Sequence, residues 1–574
     1  MKHLQQLFPI LSWGRFYSKN AFKGDFLAGI TVGILLVPQG MAYAMLAGLP
    51  PVYGLYAGFF PPLIYAIMGT SRQLAVGPVA LDSLLVASGL GALSLSNSGE
   101  YIVSAIFLAF LVGLLQMILG GLRLGFLIRY LSKPVVSGFS SAAALIIGLS
   151  QVDAVFGFSI PTTFDIQTLF FQITEIFSTA LPISFYVGFG AVVFLLLFKR
   201  FHPQFPAALI LVCIATLLSF LFGWEHYGVD VVGFIPEGLP EMKIPVVSVS
   251  QWVSMAPLAL TIALIAFMEA LSVGKTLEEK NNQSLLRPNQ ELIALGASNL
   301  IGSIFQSYPI SGGFSRSAVN HQLGAKTVFS GFISALVVGL VLLFFTDYFY
   351  HLPMAVLGAI IIVAVFQLIN LSYPKELWQN HRVEFYILCI TFFSTLILGI
   401  KYGILFGVFS ALAHMVYKSS KPHIAVLGRI VGTNHFKNIS RFSADVMTYP
   451  NVLILRYDGS LFFGNQGYFK QKVEALIRKQ NAPVKHVIID AGPIHYVDAT
   501  AMHMLHKWIL DLQRNQISVF WTHVTGPVRD AFYKGGLVEA GQATFFSSLD
   551  AAVKHLHGEA PNLNDEMISN QVNQ

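Results

Sequence analysis

The chain has 574 residues, of which 55% are hydrophobic and only 11% charged, with a mean hydropathy of +0.65. Soluble globular proteins carry about 25% charged residues. This balance therefore excludes a wholly soluble enzyme, a disordered scaffold and a nucleic-acid binder, and the long apolar runs exclude an outer-membrane barrel, whose strands alternate weakly. In chain order, residues 1–24 contain Lys2, Arg15, Lys19 and Lys23 but no apolar core with a small-residue cleavage site, so they read as a cytoplasmic N-terminus. A bilayer-crossing helix needs about 20 apolar residues. Runs of that kind lie near 26–47, 101–120, 181–198, 205–223, 256–274, 328–346, 353–370 and 383–399, with shorter or interrupted ones near 53–68, 78–93, 134–151, 291–306 and 403–417. Segment 311–323 is too polar to be found by hydropathy; counting it gives fourteen segments between residues 25 and 417.

The distribution of cations tests that count, because cytoplasmic loops carry excess Lys and Arg. With the N-terminus inside, Arg72, Arg123, Arg129, Lys133, Lys199, Arg200, Lys275, Lys280, Arg287, Lys326 and Lys375 all fall inside. The loop 224–250 falls outside and holds Glu225, Asp230, Glu237 and Glu241 against Lys243; Lys401 is the exterior cation that the rule does not explain. An even number of spans places both termini in the cytoplasm of a multi-pass cell (inner) membrane protein. Residues 418–574 carry twice the charge density of residues 1–417, and the net charge of +6 divides as +4 and +2. Within 424–557, β-rich runs (Val452–Tyr457, His486–Asp490, Ile517–His523) alternate with helical stretches near 466–480, 499–514 and 526–537, which predicts a cytoplasmic α/β domain. The tail 558–574 is polar and reads as disordered. Cys213 and Cys389 both lie in apolar runs, so neither a disulfide framework nor a cysteine-rich metal site is expected.

Two places break the apolar pattern. Gly77-Pro78-Val79-Ala80 opens the third segment, and Pro309-Ile310-Ser311-Gly312-Gly313-Phe314 opens the tenth. Proline before a helix start removes a donor that would be orphaned anyway, and glycine lets backbone approach a ligand. Transporters bind solutes at such broken helices, placed equivalently in two inverted repeats. Pro38 precedes Pro78 by 40 residues and Glu269 precedes Gly312 by 43, which supports a repeat. Two half-helix N-termini facing each other make an anion site without a full charge.

Glu269 lies in the middle third of an apolar run, where an acid costs about 2.5–3.5 kcal/mol on insertion scales. Low dielectric disfavours its charged form, which suits a proton carrier; a carboxylate hydrogen-bonded between helices is the alternative. Arg316, one turn into segment ten, holds the anion, neutralises Glu269, or both. Asp82 in segment three is similarly placed. Gln39 and Tyr43 lie one turn apart and offer an amide donor and a phenol to an oxyanion, or else hydrogen-bond between helices. Gly29/Gly33, Gly54/Gly58 and Gly403/Gly407 are spacings of close helix packing.

At these residues the sequence resembles the sulfate permease (SulP) family of anion transporters, over nearly the whole chain. PPVYGLYAGFFPPLIYAIMGTSRQLAVGPVA (Pro50–Ala80) is similar to the family signature, with YGLY, GTSR and GP in register; PQGMAYA and PISGGFSRSAVN fit as well. The C-terminal block resembles a STAS domain. The resemblance implies a seven-plus-seven inverted repeat, core and gate domains moving as an elevator, a homodimer, and an anion between the half-helices of segments three and ten. It carries over Gln39, Tyr43, Val79, Ala80, Gly313, Phe314 and Ser315 to the site, with Arg316 matching an arginine beside it in some members. Glu269 matches an acidic position implicated in cation coupling. Sodium-coupled bicarbonate members have Asp there and Thr one turn on; here the pair is Glu269 and Val273, and Val donates no oxygen ligand, so a proton fits better than sodium. HYVDATAMHML (His495–Leu505) resembles the segment where antagonists carry Asp-Ser-Ser-Gly, which puts Thr500 at the regulatory acceptor position, at a helix N-terminus with or without a switch role. No P-loop is present, so no ATPase is suggested.

The expected function is secondary active anion transport, proton-coupled, with sulfate as the leading substrate and no cofactor, metal or enzymatic activity. The alternatives are a bicarbonate transporter or a passive exchanger or channel of the same fold and, from another class, a membrane-anchored signalling platform whose STAS domain captures a cytosolic partner.

Overall fold

The computed structural model describes residues 7–14, 17–91, 93, 97–126, 132–156, 182–201, 207–281, 286–366, 369–442 and 446–558. Arg129 and the tail beyond Gly558 lie outside them. The chain divides into two compact units, Met1–Ala411 and Leu412–Gln574.

The first unit is helical. Its long elements are α1 (Lys19–Leu46), α2 (Val52–Met68), α3 (Ala80–Gly91), α4 (Ser98–Gly121), α5 (Lys133–Ser150), α6 (Pro182–Phe201) and α7 (Ala207–Phe222). Then follow α8 (Val249–Asn281), α9 (Pro288–Ile304), α10 (Phe314–Gln322), α11 (Phe329–Phe344), α12 (Met354–Val365), α13 (Arg382–Leu398) and α14 (Ile400–Ser420), within which the division at Ala411 falls. Each expected segment is thus helical. Segments three and ten begin later than the sequence implied, because strands β1 (Val76–Gly77) and β2 (Ser311–Gly312) precede their helices. Among the described residues, four stretches are long and apolar enough to cross a membrane by length and composition: Lys19–Leu46, Ser98–Gly121, Lys133–Ser150 and Val249–Glu278.

Two helix starts of this unit carry side-chain caps. Ser18 Oγ accepts from Ala21 N (3.2 Å) at α1, and Asn97 Oδ1 accepts from Glu100 N (2.8 Å) at α4, each satisfying one of the donors a helix leaves orphaned. Glycine seams let helices approach backbone to backbone. A Cβ on Gly29 would fall 2.6 Å from Ser330 O, and one on Gly33 2.9 Å from Ser334 O, so α1 seats on α11. A second seam joins α4 to α9, where Gly113 and Gly296 face each other's main chain. Outward faces stay apolar: Leu196, Leu197 and Phe201 on α6, Leu217 and Phe220 on α7, and Phe393 and Ile397 on α13 are exposed, as lipid-facing side chains must be.

The second unit is built on a sheet in the order β4-β3-β6-β7-β8-β9, with β5 also pairing β3. The strands are β3 (His423–Ile430), β4 (Phe436–Asn438), β5 (Val446–Met447), β6 (Val452–Asp458), β7 (His486–Asp490), β8 (Ser518–Thr522) and β9 (Thr544–Phe546). β3 runs antiparallel to β6, and β6 to β9 are mutually parallel. Alternate residues point to opposite faces of a strand, and the core divides accordingly. Leu453, Leu455, Val487, Ile489 and Trp521 pack with Phe469 of α15 (Gln466–Arg478), Trp508 of α16 (Ala499–Arg514) and Phe532 of α17 (Gly526–Lys534). Ile454 and Ile488 pack on the other face with Leu549 and Val553 of α18 (Leu549–Leu556).

Candidate anion-binding site

The two breaks in the apolar pattern meet. β1 and β2 pair antiparallel, with Val76 opposite Gly312 and Gly77 opposite Ser311. The half-helices α3 and α10 therefore start from one short ribbon whose two strands are 235 positions apart in sequence (Val76 to Ser311). Gly77 needs to be glycine here: its φ is +151°, and a Cβ would meet Leu36 and the Arg316 guanidinium at 3.3 and 3.4 Å. Polar side chains pin the ribbon. Gly313 N donates to Ala75 O (3.0 Å), Ala75 N to Ser317 Oγ (2.8 Å), and Ser317 Oγ to Gly313 O (2.7 Å). Ser311 Oγ donates to Ala266 O of α8 (2.8 Å), one turn before Glu269. Asn299 of α9 accepts from Ile310 N (2.8 Å) and donates to Gln116 Oε1 of α4 (3.1 Å). Ser83 and Tyr308 join their hydroxyls at 3.0 Å.

Arg316 sits in the first turn of α10 with 2% of its surface exposed. Its guanidinium lies against Gly313, where a Cβ would fall 2.8 Å from Cζ. Nη1 donates to Gln39 Oε1 at a long 3.5 Å, and neither Nε nor Nη2 has a partner. Among the described residues no carboxylate comes within 4.0 Å of it, so a direct ion pair with Glu269 is not made in this conformation. Tyr43, Tyr308 and Glu269 lie within its electrostatic reach. A buried donor left unpaired costs about 1–3 kcal/mol, and more when charged. The first N–H groups of α3 and α10 have no partner within their own helices. The site thus presents unpaired donors and positive charge.

The structure brings most of the expected residues together. α1 continues through Pro38, which sets Gln39 against Arg316 and buries Tyr43 beside it. Val79 and Ala80 are buried at the start of α3, and Gly313 caps α10. Phe314 and Ser315 open α10 with their side chains exposed, apart from the buried guanidinium. Glu269 Oε2 is sealed from solvent without a hydrogen-bond partner; Val273, one turn on, is buried and offers no oxygen. Asp82 is fully buried, with both carboxylate oxygens unpartnered and within electrostatic reach of Glu269. Thr500 belongs to the second unit, exposed in the first turn of α16. That helix end is already capped: Asp498 accepts from Ala501 N and Phe463 N, both at 2.8 Å. A phosphate on Thr500 would meet this like charge. Sequence reasoning missed Tyr308, Asn299 and Gln116; polar side chains inside or beside apolar runs were the available signal.

Two half-helices thus start tip to tip beside a buried guanidinium with unpaired nitrogens, and the comparisons with known proteins make the chain an anion transporter. The profile of the sulfate permease family matches residues 22–391, and that of the STAS domain matches residues 443–552. The chain belongs to the sulfate permease family and is a multi-pass membrane transporter with a C-terminal STAS domain. It is 37% identical to "Sulfate transporter 4.1, chloroplastic" of Arabidopsis thaliana, over 99% of this chain and 85% of that protein. It is 32% identical to "High affinity sulfate transporter 2" of Stylosanthes hamata, over 96% and 86%. Among solved structures it is similar to SLC26A9, with a TM-score of 0.89 at 28% identity, covering 99% of this chain and 95% of that one. The transmembrane domain of the cyanobacterial bicarbonate transporter BicA has a TM-score of 0.60 at 21% identity over 69% of this chain and 98% of that one, a likeness of fold.

Proposed function

We propose that the protein takes up sulfate by proton-coupled symport. The observation that carries this reading is Arg316, buried at the tip of α10 with two nitrogens unpaired. An oxyanion between the N-termini of α3 and α10 supplies the missing acceptors and meets both helix dipoles. Gln39, Tyr43, Val79, Ala80, Gly313, Phe314 and Ser315 line its seat. Glu269, on the helix that holds β2, carries the proton: a neutral carboxyl beside a loaded anion site offsets part of the charge moved. The substrate follows from the relatives named as sulfate transporters.

In this reading residues 25–417 form the transporter domain. Fourteen spans in two inverted repeats of seven move as an elevator core against a gate, in a homodimer. Both termini and the STAS domain (424–557) lie on the cytoplasmic side of a cell membrane, where the domain is free to meet a cytosolic partner and Thr500 to act as its regulatory hydroxyl.

The test is radiotracer sulfate uptake into proteoliposomes under an imposed pH gradient, acidic outside. Wild type accumulates sulfate above equilibrium. Glu269→Gln is expected to retain sulfate exchange and lose pH-driven accumulation. Accumulation that persists unchanged in this variant would overturn the coupling role, and large unitary currents without uphill flux would make the protein a passive conductance.

A further inference from the structure

We infer that the loop between α7 and α8 is a strap anchored at both ends, which limits how far two helix bundles of the membrane unit slide. Its short free span bends as they move, which rests on the elevator movement proposed above.

The bundles follow from which helices pack together. α1, α2, α4, α8, α9 and α11 pack on one another and hold the ribbon with α3 and α10. α5 packs instead on α12 and α13, and α12 on α6 and α7. The groups touch where α1 meets α7 and α12 and where α3 meets α5. The anion site at the ribbon therefore belongs to the first bundle. The chain crosses between the bundles after α4, α7 and α11.

The near half of the α7–α8 loop is fixed to the start of α12 and the turn before it. Val231 pairs antiparallel with Pro353, the N-cap of α12. Val232 N donates to Leu352 O (2.9 Å), Gly233 N to Tyr350 O (3.0 Å), and Met354 N to Asp230 O (2.9 Å). His351 ties this turn to α7, with its ring 5.2 Å from that of Phe220. The far half is fixed to the first bundle. Gly238 N donates to Leu342 O of α11 (2.9 Å), Lys243 N to Ile304 O of α9 (2.8 Å), and Gln306 Nε2 to Glu241 O (3.0 Å).

Between these anchors, Phe234–Glu237 makes no main-chain hydrogen bond among the described residues. Of its side chains only Ile235 is buried. Gly233 (φ +74°) and Gly238 (φ +106°) flank the span, and a Cβ on either would meet nothing within 4 Å. Packing does not call for glycine there; the backbone conformation does. A few loop residues free to change φ and ψ are what a hinge between moving bodies needs. The five Cα steps from Gly233 to Gly238 reach at most about 18 Å. The bundle ends on this side cannot part further unless an anchor lets go.

The experiment uses the full chain in nanodiscs, with Cys213→Ser and Cys389→Ser. Spin labels sit at Leu340→Cys on α11 and Phe393→Cys on α13, both exposed and one on each bundle. Pulsed electron spin resonance reads the distance between them, with and without sulfate. The intact chain is expected to show two distances. Deleting Pro236 and Glu237 cuts the reach to about 11 Å. It should leave one distance and abolish sulfate uptake, while sulfate still protects the protein against heat. Inserting Gly-Ser after Pro236 should keep both distances. A single distance in the intact chain overturns the sliding movement and the strap with it. Two distances in both the intact and the shortened chain overturn the strap alone. A staple tests the near anchor without changing the length of the span. Val231→Cys with Pro353→Cys, opposite each other in an antiparallel bridge, lie within disulfide reach. In the unlabelled background this disulfide should leave sulfate uptake the same with and without reductant. A block that reductant relieves means that the anchor opens in every cycle, which overturns the inference.

Discussion

Among the described residues of the membrane unit, the buried Asp25, Glu291 and Asp82 and the half-buried Glu269 fall into two pairs, one at the loop end of the helices and one beside the ribbon. Asp25 and Glu291 hold the loops. Asp25 accepts four hydrogen bonds from the 326–327 turn and Tyr17. Glu291 accepts from Tyr65 OH (2.8 Å), Thr70 N (2.7 Å), Thr70 Oγ1 and Ser71 N (2.9 Å). Beside the ribbon, Asp82 has no partner for either oxygen, and Glu269 has none for Oε2. Carboxylates are thus saturated in one place and left open in the other. A saturated acid fixes structure; the open acids, within electrostatic reach of one another and of an open guanidinium, are where the proposed reading puts the moving proton.

Removing a saturated acid should do the most damage. Glu291→Ala orphans donors from three residues and is expected to cost about 3 kcal/mol or more, visible as loss of monodisperse protein and a lowered thermal midpoint in detergent. If it leaves the midpoint unchanged, the contrast between the pairs fails. Arg316→Gln should leave the midpoint unchanged or raised, because it removes an uncompensated buried charge, while sulfate uptake falls by about tenfold or more. Gly313→Ala pushes a methyl group against the guanidinium; a rise of about threefold in the sulfate KM, with no change in expression, is expected for a shift costing under 1 kcal/mol. Asp82→Asn keeps shape and removes a charge that no partner stabilises, so stability should change by less than about 1 kcal/mol; the proton-to-sulfate ratio, read from reversal potentials, then reports whether Asp82 joins Glu269 in coupling.

The smallest effect is expected in the second unit, at the ion pair between His523 and Asp490. His523 Nδ1 donates to Asp490 Oδ1 at 2.9 Å, and this hydrogen bond raises the imidazole above its ordinary value of 6.5. A raised value in the folded state means that the pair's stabilisation is fully present below pH 6.5 and is lost as pH rises through the raised value. With the imidazole nearly half exposed, the gain is about a few tenths of a kcal/mol. Hydrogen exchange at the end of β8 should be slowed below that pH in wild type and not in His523→Gln.

Much of this was legible in the sequence, for identifiable reasons. Apolar length located the helices, and Gly-Pro punctuation located both breaks, because each is a local signal. The β6, β7 and β8 runs and the helices between them were readable from their alternation. β4, β5 and β9 are only two or three residues long and carry too little pattern to be seen. The ribbon itself, Asn299 gripping Ile310, and Asp25 gripping a turn some 300 residues away depend on which segments meet, and a single sequence does not record that. Asp25 and Glu269 look alike as letters in apolar surroundings; only their partners tell them apart.

The ribbon between Val76–Gly77 and Ser311–Gly312 has a thermodynamic consequence. Both half-helix tips hang from the same hydrogen bonds, braced by Asn299, Ser311 and Ser317. In the proposed alternating-access cycle, a pocket held in one shape by such a brace would recognise its anion alike on either face of the membrane. Unequal affinity on the two faces never concentrates a solute by itself. In the proposed symport the driving force is a second particle running down its own gradient, and the open carboxylates beside the brace are where it would ride.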